Sequence, residues 1–64
     1  MRHLKRRDLI KAIEVMAMRD GHSVEMREGS NHTVVKVGSR RTTIPRHREI
    51  NELTARSILK KLFG

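Results

Sequence analysis

The sequence predicts an α+β fold: a two-layer α-β-β-β-α sandwich in which both helices cover one face of a three-stranded antiparallel sheet. Apolar residues recur at helical spacing near each end of the chain, and the segment between them alternates apolar and polar residues. Glycine-containing turns divide that middle segment into short strands. A chain of 64 residues is expected to form one domain, residues 1–64.

The first helix is predicted over residues 6–19. Leu9, Ile13 and Ala17 follow one another at intervals of four, which places them on one face of a helix. Gly21 is expected to end this helix, because glycine readily adopts the backbone conformation that follows the last turn of many helices.

Three strands are predicted next, over residues 22–28, 32–37 and 41–44. The dipeptide Gly38-Ser39 fits the tight turn of a hairpin between the second and third strands. Pro45 has no amide hydrogen to donate to a sheet, so the third strand is expected to end there.

His32 opens the second predicted strand and shares one face of it with Lys36. Because the charged Lys36 must reach water, His32 is also expected on the solvent face of the sheet. From the residues alone, His32 is better explained as one more polar residue on a solvated face than as a catalytic group.

Residues 46–50 are expected to form a loop that leads into the second helix. Asn51 suits the N-cap of that helix, because its side-chain oxygen can accept a hydrogen bond from an amide of the first turn. The apolar stripe of the second helix is expected to consist of Leu53, Ala55, Ile58, Leu59 and Leu62.

The charge balance points to a polyanionic partner. Fifteen Lys and Arg residues outnumber seven Asp and Glu residues, for a net charge of +8, which most often indicates nucleic acid. Phe63 is the one aromatic residue, so recognition is expected to use phosphate and 2′-hydroxyl contacts rather than base stacking.

Composition also indicates where the protein works. The chain has no cysteine, which excludes disulfides and thiolate metal sites and fits a reducing cytoplasm. No apolar run approaches the roughly 18 to 20 residues that a membrane-spanning helix needs, and no signal peptide is visible. We therefore expect a cytoplasmic protein that makes no membrane contact.

Residues 29–48 contain no acidic residue and hold five of the fifteen Lys and Arg and two of the four histidines. His47 lies between two arginines, which favours a phosphate contact or a merely solvated side chain over a second catalytic proton carrier. His32 and His47 have no evident third ligand, so no metal site is expected. The predicted RNA-binding residues are Lys36, Arg40, Arg41, Arg46, His47 and Arg48.

Two further basic segments flank this stretch. They are Arg2, Lys5, Arg6 and Arg7 near one end, and Arg56, Lys60 and Lys61 near the other. Both segments could extend an RNA track or simply carry solvated charge around a small core, and for the second helix the latter interpretation is at least as good.

Four motifs in order resemble the HicA toxin family. Gly29-Ser30-Asn31-His32 opens the second strand, and Thr43-Ile44-Pro45-Arg46-His47 closes the third. Lys5-Arg6-Arg7-Asp8-Leu9-Ile10 and Ala55-Arg56-Ser57-Ile58-Leu59-Lys60 are similar to the start and end of the family pattern. The resemblance covers nearly the whole chain.

The resemblance implies a fold like that of double-stranded-RNA-binding domains. It also implies an endoribonuclease toxin that cleaves mRNA without a metal or other cofactor and is neutralised by a HicB antitoxin in a type II toxin–antitoxin pair. In that family, one histidine at the start of the second strand is catalytic, which implies that role for His32.

One position departs from the family pattern, which reads Gly-Ser-His-His or Gly-Gly-His with the catalytic histidine two residues after glycine. Here Asn31 occupies that place and His32 follows. Either the turn is one residue longer and His32 is catalytic, or the site has been lost. We favour the first, because a turn absorbs one residue easily whereas a slip within the strand would reverse every side chain.

The chemistry suits a histidine. RNA can be cleaved when its 2′-hydroxyl attacks the adjacent phosphate, which requires a proton acceptor, a proton donor and nearby cations. Imidazole serves both proton steps because its ordinary pKa is about 6.5. Two alternatives stay open: a catalytically silent RNA-binding module of the same fold, and a non-enzymatic regulator whose basic surface binds an acidic protein.

Overall fold

The computed structural model describes residues 2–64. In chain order, its elements are β1 (His3–Lys5), α1 (Arg6–Arg19), β2 (Val24–Glu28), β3 (His32–Val37), β4 (Arg40–Pro45), β5 (Glu49–Asn51) and α2 (Glu52–Phe63). Strands β2, β3 and β4 form an antiparallel sheet with β3 in the centre. The predicted α+β architecture is confirmed, and the predicted strands are correct to within two residues at each end.

The core lies between the two helices and one face of this sheet. Alternate residues of β3 point into it, and the apolar stripes of α1 and α2 cover them because both stripes face the sheet. Leu53 was expected in the stripe of α2, and that expectation was wrong: the residue is 58 % exposed. The buried apolar residues are Leu9, Ile13, Ala17, Val35, Val37, Ile44, Ile50, Ala55, Ile58 and Leu62. The opposite face of the sheet is left open to solvent.

A second, two-stranded ribbon was not predicted. Strands β1 and β5 pair antiparallel, with Leu4 opposite Ile50. Residues 49 and 50 were expected in a loop, and that expectation was wrong: Ile50 is only 2 % exposed and belongs to the core. Strands of three residues are too short to display an alternation in the sequence. The ribbon joins the start of α1 to the start of α2.

The predicted helix ends are confirmed. At the end of α1, the amides of Gly21 and His22 donate to the carbonyls of Met18 and Ala17, at 3.1 and 2.9 Å. At the start of α2, the Asn51 Oδ1 accepts a hydrogen bond from the Leu53 amide at 2.7 Å. Within residues 2–64, neither helix is long and apolar enough to cross a membrane.

Candidate active site

His32 is the first residue of β3, and its side chain is exposed on the open face of the sheet, as predicted. Its neighbour Thr33 points to the opposite, buried face. The Gly29 amide donates to the His32 carbonyl at 2.8 Å, so that Ser30 and Asn31 form a two-residue turn between β2 and β3. His32 therefore lies on the ordered ladder, directly opposite Pro45 of β4.

A hydrogen-bonded network lies beneath this turn. Thr33 is 0 % exposed, and its hydroxyl accepts a hydrogen bond from the Arg6 guanidinium and donates to the Glu28 Oε1 at 2.8 Å. The Arg6 Nε also donates to the Pro45 carbonyl at 3.2 Å. The first residue of α1 thus ties together the adjoining ends of β2, β3 and β4, where His32 lies.

Arg46 closes the network from the solvent side. Its Nη1 donates to the Gly29 carbonyl at 2.9 Å, and its Nε lies 3.6 Å from the Glu28 Oε1. The Arg46 and Glu28 side chains are 48 and 57 % exposed, so this ion pair adds little stability, and its main effect is on geometry. We call Arg6, Glu28, Thr33 and Arg46 the turn clamp.

His32 shares a groove of about 430 Å³ with residues of β4 and α2. The groove forms because α2 packs alongside β4, which brings the outer side of the helix close to the end of the sheet that carries His32. Its lining includes four residues with hydroxyl groups and one lysine, together with apolar residues. Its other lining residues are Thr42, Thr43, Pro45, Leu53, Thr54, Ser57, Ile58 and Lys61.

Lys61 lines the His32 groove, although no pattern in the sequence indicated this position. It was grouped with the charges of the second helix, for which solvated charge was at least as good an interpretation. In the structure it lines the His32 groove and also an adjoining depression with Val34, Arg41 and Thr43. A groove that combines an exposed imidazole, an ammonium group and several hydroxyls is suited to holding a phosphodiester.

Lys36 and Arg41 lie farther along the open face. They are directly opposite each other on β3 and β4, and Glu25 of β2 lies on the other side of Lys36. Lys36 is four residues from His32, which is roughly 13 Å along a strand. These two cations therefore suit a neighbouring phosphate rather than one held at His32.

Arg40 lies apart from the His32 groove. It is opposite Val37, on the face that the helices cover, and its guanidinium donates to the main-chain oxygen of Gly64 at the end of α2. The structure therefore does not bring Arg40 together with His32.

His47 and Arg48 follow Arg46 in the segment between β4 and β5, and both are exposed. Arg48 lines a second depression with residues of β1 and the start of α1. No group of three or more His, Asp or Glu residues in the described part of the chain could hold a metal ion.

The fold and this surface define a small basic α+β protein with an exposed histidine in a groove of mixed polar and apolar lining. A family profile described as the HicA toxin of bacterial toxin–antitoxin systems matches residues 6–62, nearly the whole chain. The protein belongs to the HicA toxin family, as its sequence motifs indicated. Searches of curated proteins and of solved structures give no significant match.

Proposed function

We propose that this toxin is a metal-independent endoribonuclease that cleaves mRNA, with His32 as its general acid and base. The observation that carries the proposal is the exposed His32 imidazole at a clamped strand end, in a groove that Lys61 and several hydroxyl-bearing residues also line.

The reaction begins with attack of an RNA 2′-hydroxyl on its own 3′ phosphorus. His32 accepts the 2′ proton, the bond between O2′ and phosphorus forms, and the bond to the 5′ oxygen breaks. The leaving 5′ oxygen takes up a proton from imidazolium or water, leaving a 2′,3′-cyclic phosphate and a 5′-hydroxyl. Lys61 offsets the negative charge that develops on the phosphoryl oxygens.

His32 is a better candidate than Asn31 on two grounds. Asn31 lies in the two-residue turn, whereas His32 lies on the ladder and lines the groove. A carboxamide also cannot exchange a proton near neutral pH, so Asn31 could only donate or accept hydrogen bonds. The departure from the family pattern is then one residue, which the turn absorbs.

The surrounding cations bind the rest of the RNA backbone. Arg46 and His47 follow directly after Pro45, the residue opposite His32, and we assign them to phosphates next to the cleaved one. Lys36, Arg41 and Arg48 take more distant phosphates. Because phosphate contacts release counterions, affinity should fall steeply with salt and depend little on base sequence.

The direct test is to incubate the purified protein with end-labelled mRNA, with and without a chelator. Cleavage should be unchanged by the chelator and should produce cyclic phosphate ends. An RNA with a single 2′-deoxy nucleotide at the cleaved position should resist cutting there. RNA that is bound but left intact would favour the silent binding module. Failure to bind RNA would favour a regulator of an acidic protein.

We further infer that a HicB-type antitoxin neutralises the toxin by covering the face formed by residues 29–48. Its acidic groups would speed association with the basic surface, and buried apolar contacts would supply most of the lasting affinity. RNA and antitoxin should then compete for the His32→Ala protein. A ternary complex in which both bind at full affinity would exclude this mode of inhibition.

A further inference from the structure

The β1–β5 ribbon creates a second basic depression that the sequence does not reveal. Its volume is about 440 Å³, and it is lined by four cationic residues and one carboxylate: Lys5, Arg6, Arg7, Arg48 and Glu49. Lys5 lies directly opposite Glu49 in the ribbon, and the Arg6 amide donates to the Arg48 carbonyl at 2.9 Å. Two basic segments that are distant in sequence therefore form one surface.

Arg6 has a different role from the other three cations. Its guanidinium is directed into the turn clamp, where it donates to Thr33 and to the Pro45 carbonyl. Lys5, Arg7 and Arg48 are exposed and remain available to a ligand. We call these three residues the ribbon cations.

The ribbon cations lie close to the His32 groove. Pro45, directly opposite His32, is three residues before Arg48, so their Cα atoms are at most about 11 Å apart. The intervening segment, Arg46 and His47, is itself basic and exposed. An RNA backbone that leaves His32 along this segment would reach the ribbon cations within a short length of chain.

We propose that the ribbon cations bind a backbone phosphate of the same RNA strand, beyond the nucleotide held at His32. Two guanidinium groups and one ammonium group outnumber the single carboxylate of Glu49 in the depression, and a guanidinium can engage two phosphate oxygens together. Continuity with the basic segment next to His32 favours RNA over a separate anionic partner. This inference rests on the proposed function, because it takes the RNA at His32 as given.

The test compares two double variants with the same reduction in charge. Lys5→Gln/Arg7→Gln removes two ribbon cations, and Arg19→Gln/Lys60→Gln removes one arginine and one lysine from exposed positions that line neither the depression nor the His32 groove. Both are made in the His32→Ala protein, so that the RNA survives. The probe is a labelled single-stranded oligouridylate of about 12 nucleotides, within the range that small single-strand binders cover.

The ribbon double variant should bind this RNA about tenfold more weakly than the His32→Ala parent, as expected when one charge-assisted hydrogen bond to phosphate is removed. Its log–log salt slope should fall by roughly 0.7 for each phosphate that is no longer neutralised. The Arg19→Gln/Lys60→Gln control should change affinity much less, because it lowers the net charge by the same amount at sites away from the ribbon. Circular dichroism on both variants checks that each is folded.

Two results would overturn the inference. One is equal affinity of the ribbon and control variants for RNA. The other is RNA binding that matches the control while binding of an acidic antitoxin is abolished, which would assign the surface to a protein partner. Because the test measures binding and not cleavage, a protein that cleaves no RNA could still confirm the site, and a proven ribonuclease could still fail it.

Discussion

The sheet has two hairpin turns, and they are stabilised in different ways. The turn that precedes His32 is enclosed by the side chains of the turn clamp, which link three strands and a helix. The other turn, Gly38-Ser39, is stabilised by its main chain: Gly38 has a φ of 60° and its amide donates to the Ser23 carbonyl at 3.3 Å. Side chains thus fix geometry at the end that carries the candidate site, whereas backbone conformation suffices at the other end.

One residue of the turn clamp, Thr33, interrupts the apolar pattern on the buried face of β3. Thr33 occupies a position on the buried face of β3 where Val35 and Val37 would predict another apolar residue. Its hydroxyl is tolerated there because Arg6 and Glu28 satisfy it completely. Polar residues at apolar positions are expected where function constrains the fold.

Of the substitutions that test the difference between the two turns, Arg6→Met should lower stability and activity the most. The change leaves the buried Thr33 hydroxyl and the Pro45 carbonyl without their donor, which should lower the free energy of unfolding by about 2 kcal/mol. For a domain of this size, each kcal/mol corresponds to about 4–8 °C in Tm. Ribonuclease activity should fall more than the unfolded fraction explains, because His32 is no longer held in a fixed position.

Thermal unfolding measures the loss of stability. Cleavage rates measured well below the lowered Tm report on the folded protein alone. Arg19→Met is the matched control, since it removes an exposed arginine from the same helix. If Arg6→Met reduced stability but kept its cleavage rate while folded, the clamp would be a purely structural device.

Alanine at each of two glycines compares the turns directly. Gly38→Ala should destabilise the fold by about 1–2 kcal/mol, because an added Cβ is disfavoured at positive φ. The added Cβ atom would also lie only 3.1 Å from the His22 Nδ1. The cleavage rate of the folded protein should stay at the wild-type value, because this turn is at the far end of the strand from His32.

Gly29→Ala should affect the cleavage rate more than the stability, the reverse of Gly38→Ala. Its φ is not positive, but the added Cβ would lie 3.0 Å from the His32 carbonyl oxygen and push it by a few tenths of an ångström. Such a shift should lower the cleavage rate several-fold, since a displacement of about 1 Å can cost a factor of about 100. Equal rates for the two alanine variants would remove the functional contrast between the turns.

A smaller effect on stability than that of Arg6→Met or Gly38→Ala is expected from Arg46→Ala. Because its ion pair with Glu28 is about half exposed, the free energy of unfolding should fall by less than about 1 kcal/mol. RNA binding should nevertheless weaken, with the log–log salt slope reduced by roughly 0.7 if Arg46 neutralises one phosphate. An unchanged salt slope would assign Arg46 to the turn alone.

The sequence predicted those parts of the fold that repeat a pattern over many residues. The extent of α1, the three main strands and the exposed face of His32 all follow from periodicity. The β1–β5 ribbon was missed because its strands contain only three residues each. Lys61 was undervalued because its place in the groove depends on how α2 packs alongside β4, which no local pattern encodes.

Arg6 is the clearest case of a role that sequence could not supply. It reads as one cation of a basic segment, yet its guanidinium reaches inward to a threonine 27 residues away in the chain. The one hint was Thr33 itself, a polar residue in phase with the buried valines of its strand. A buried hydroxyl requires a partner, but the partner's identity becomes evident only in three dimensions.

The most direct test of His32 as the catalytic residue compares His32→Ala with Asn31→Ala in an RNA cleavage assay. His32→Ala should abolish cleavage and change the free energy of unfolding by less than about 0.5 kcal/mol, because the side chain is exposed. Asn31→Ala should retain most of the activity, because it only alters the two-residue turn. Normal cleavage by His32→Ala would contradict the assignment, as would loss of activity confined to Asn31→Ala.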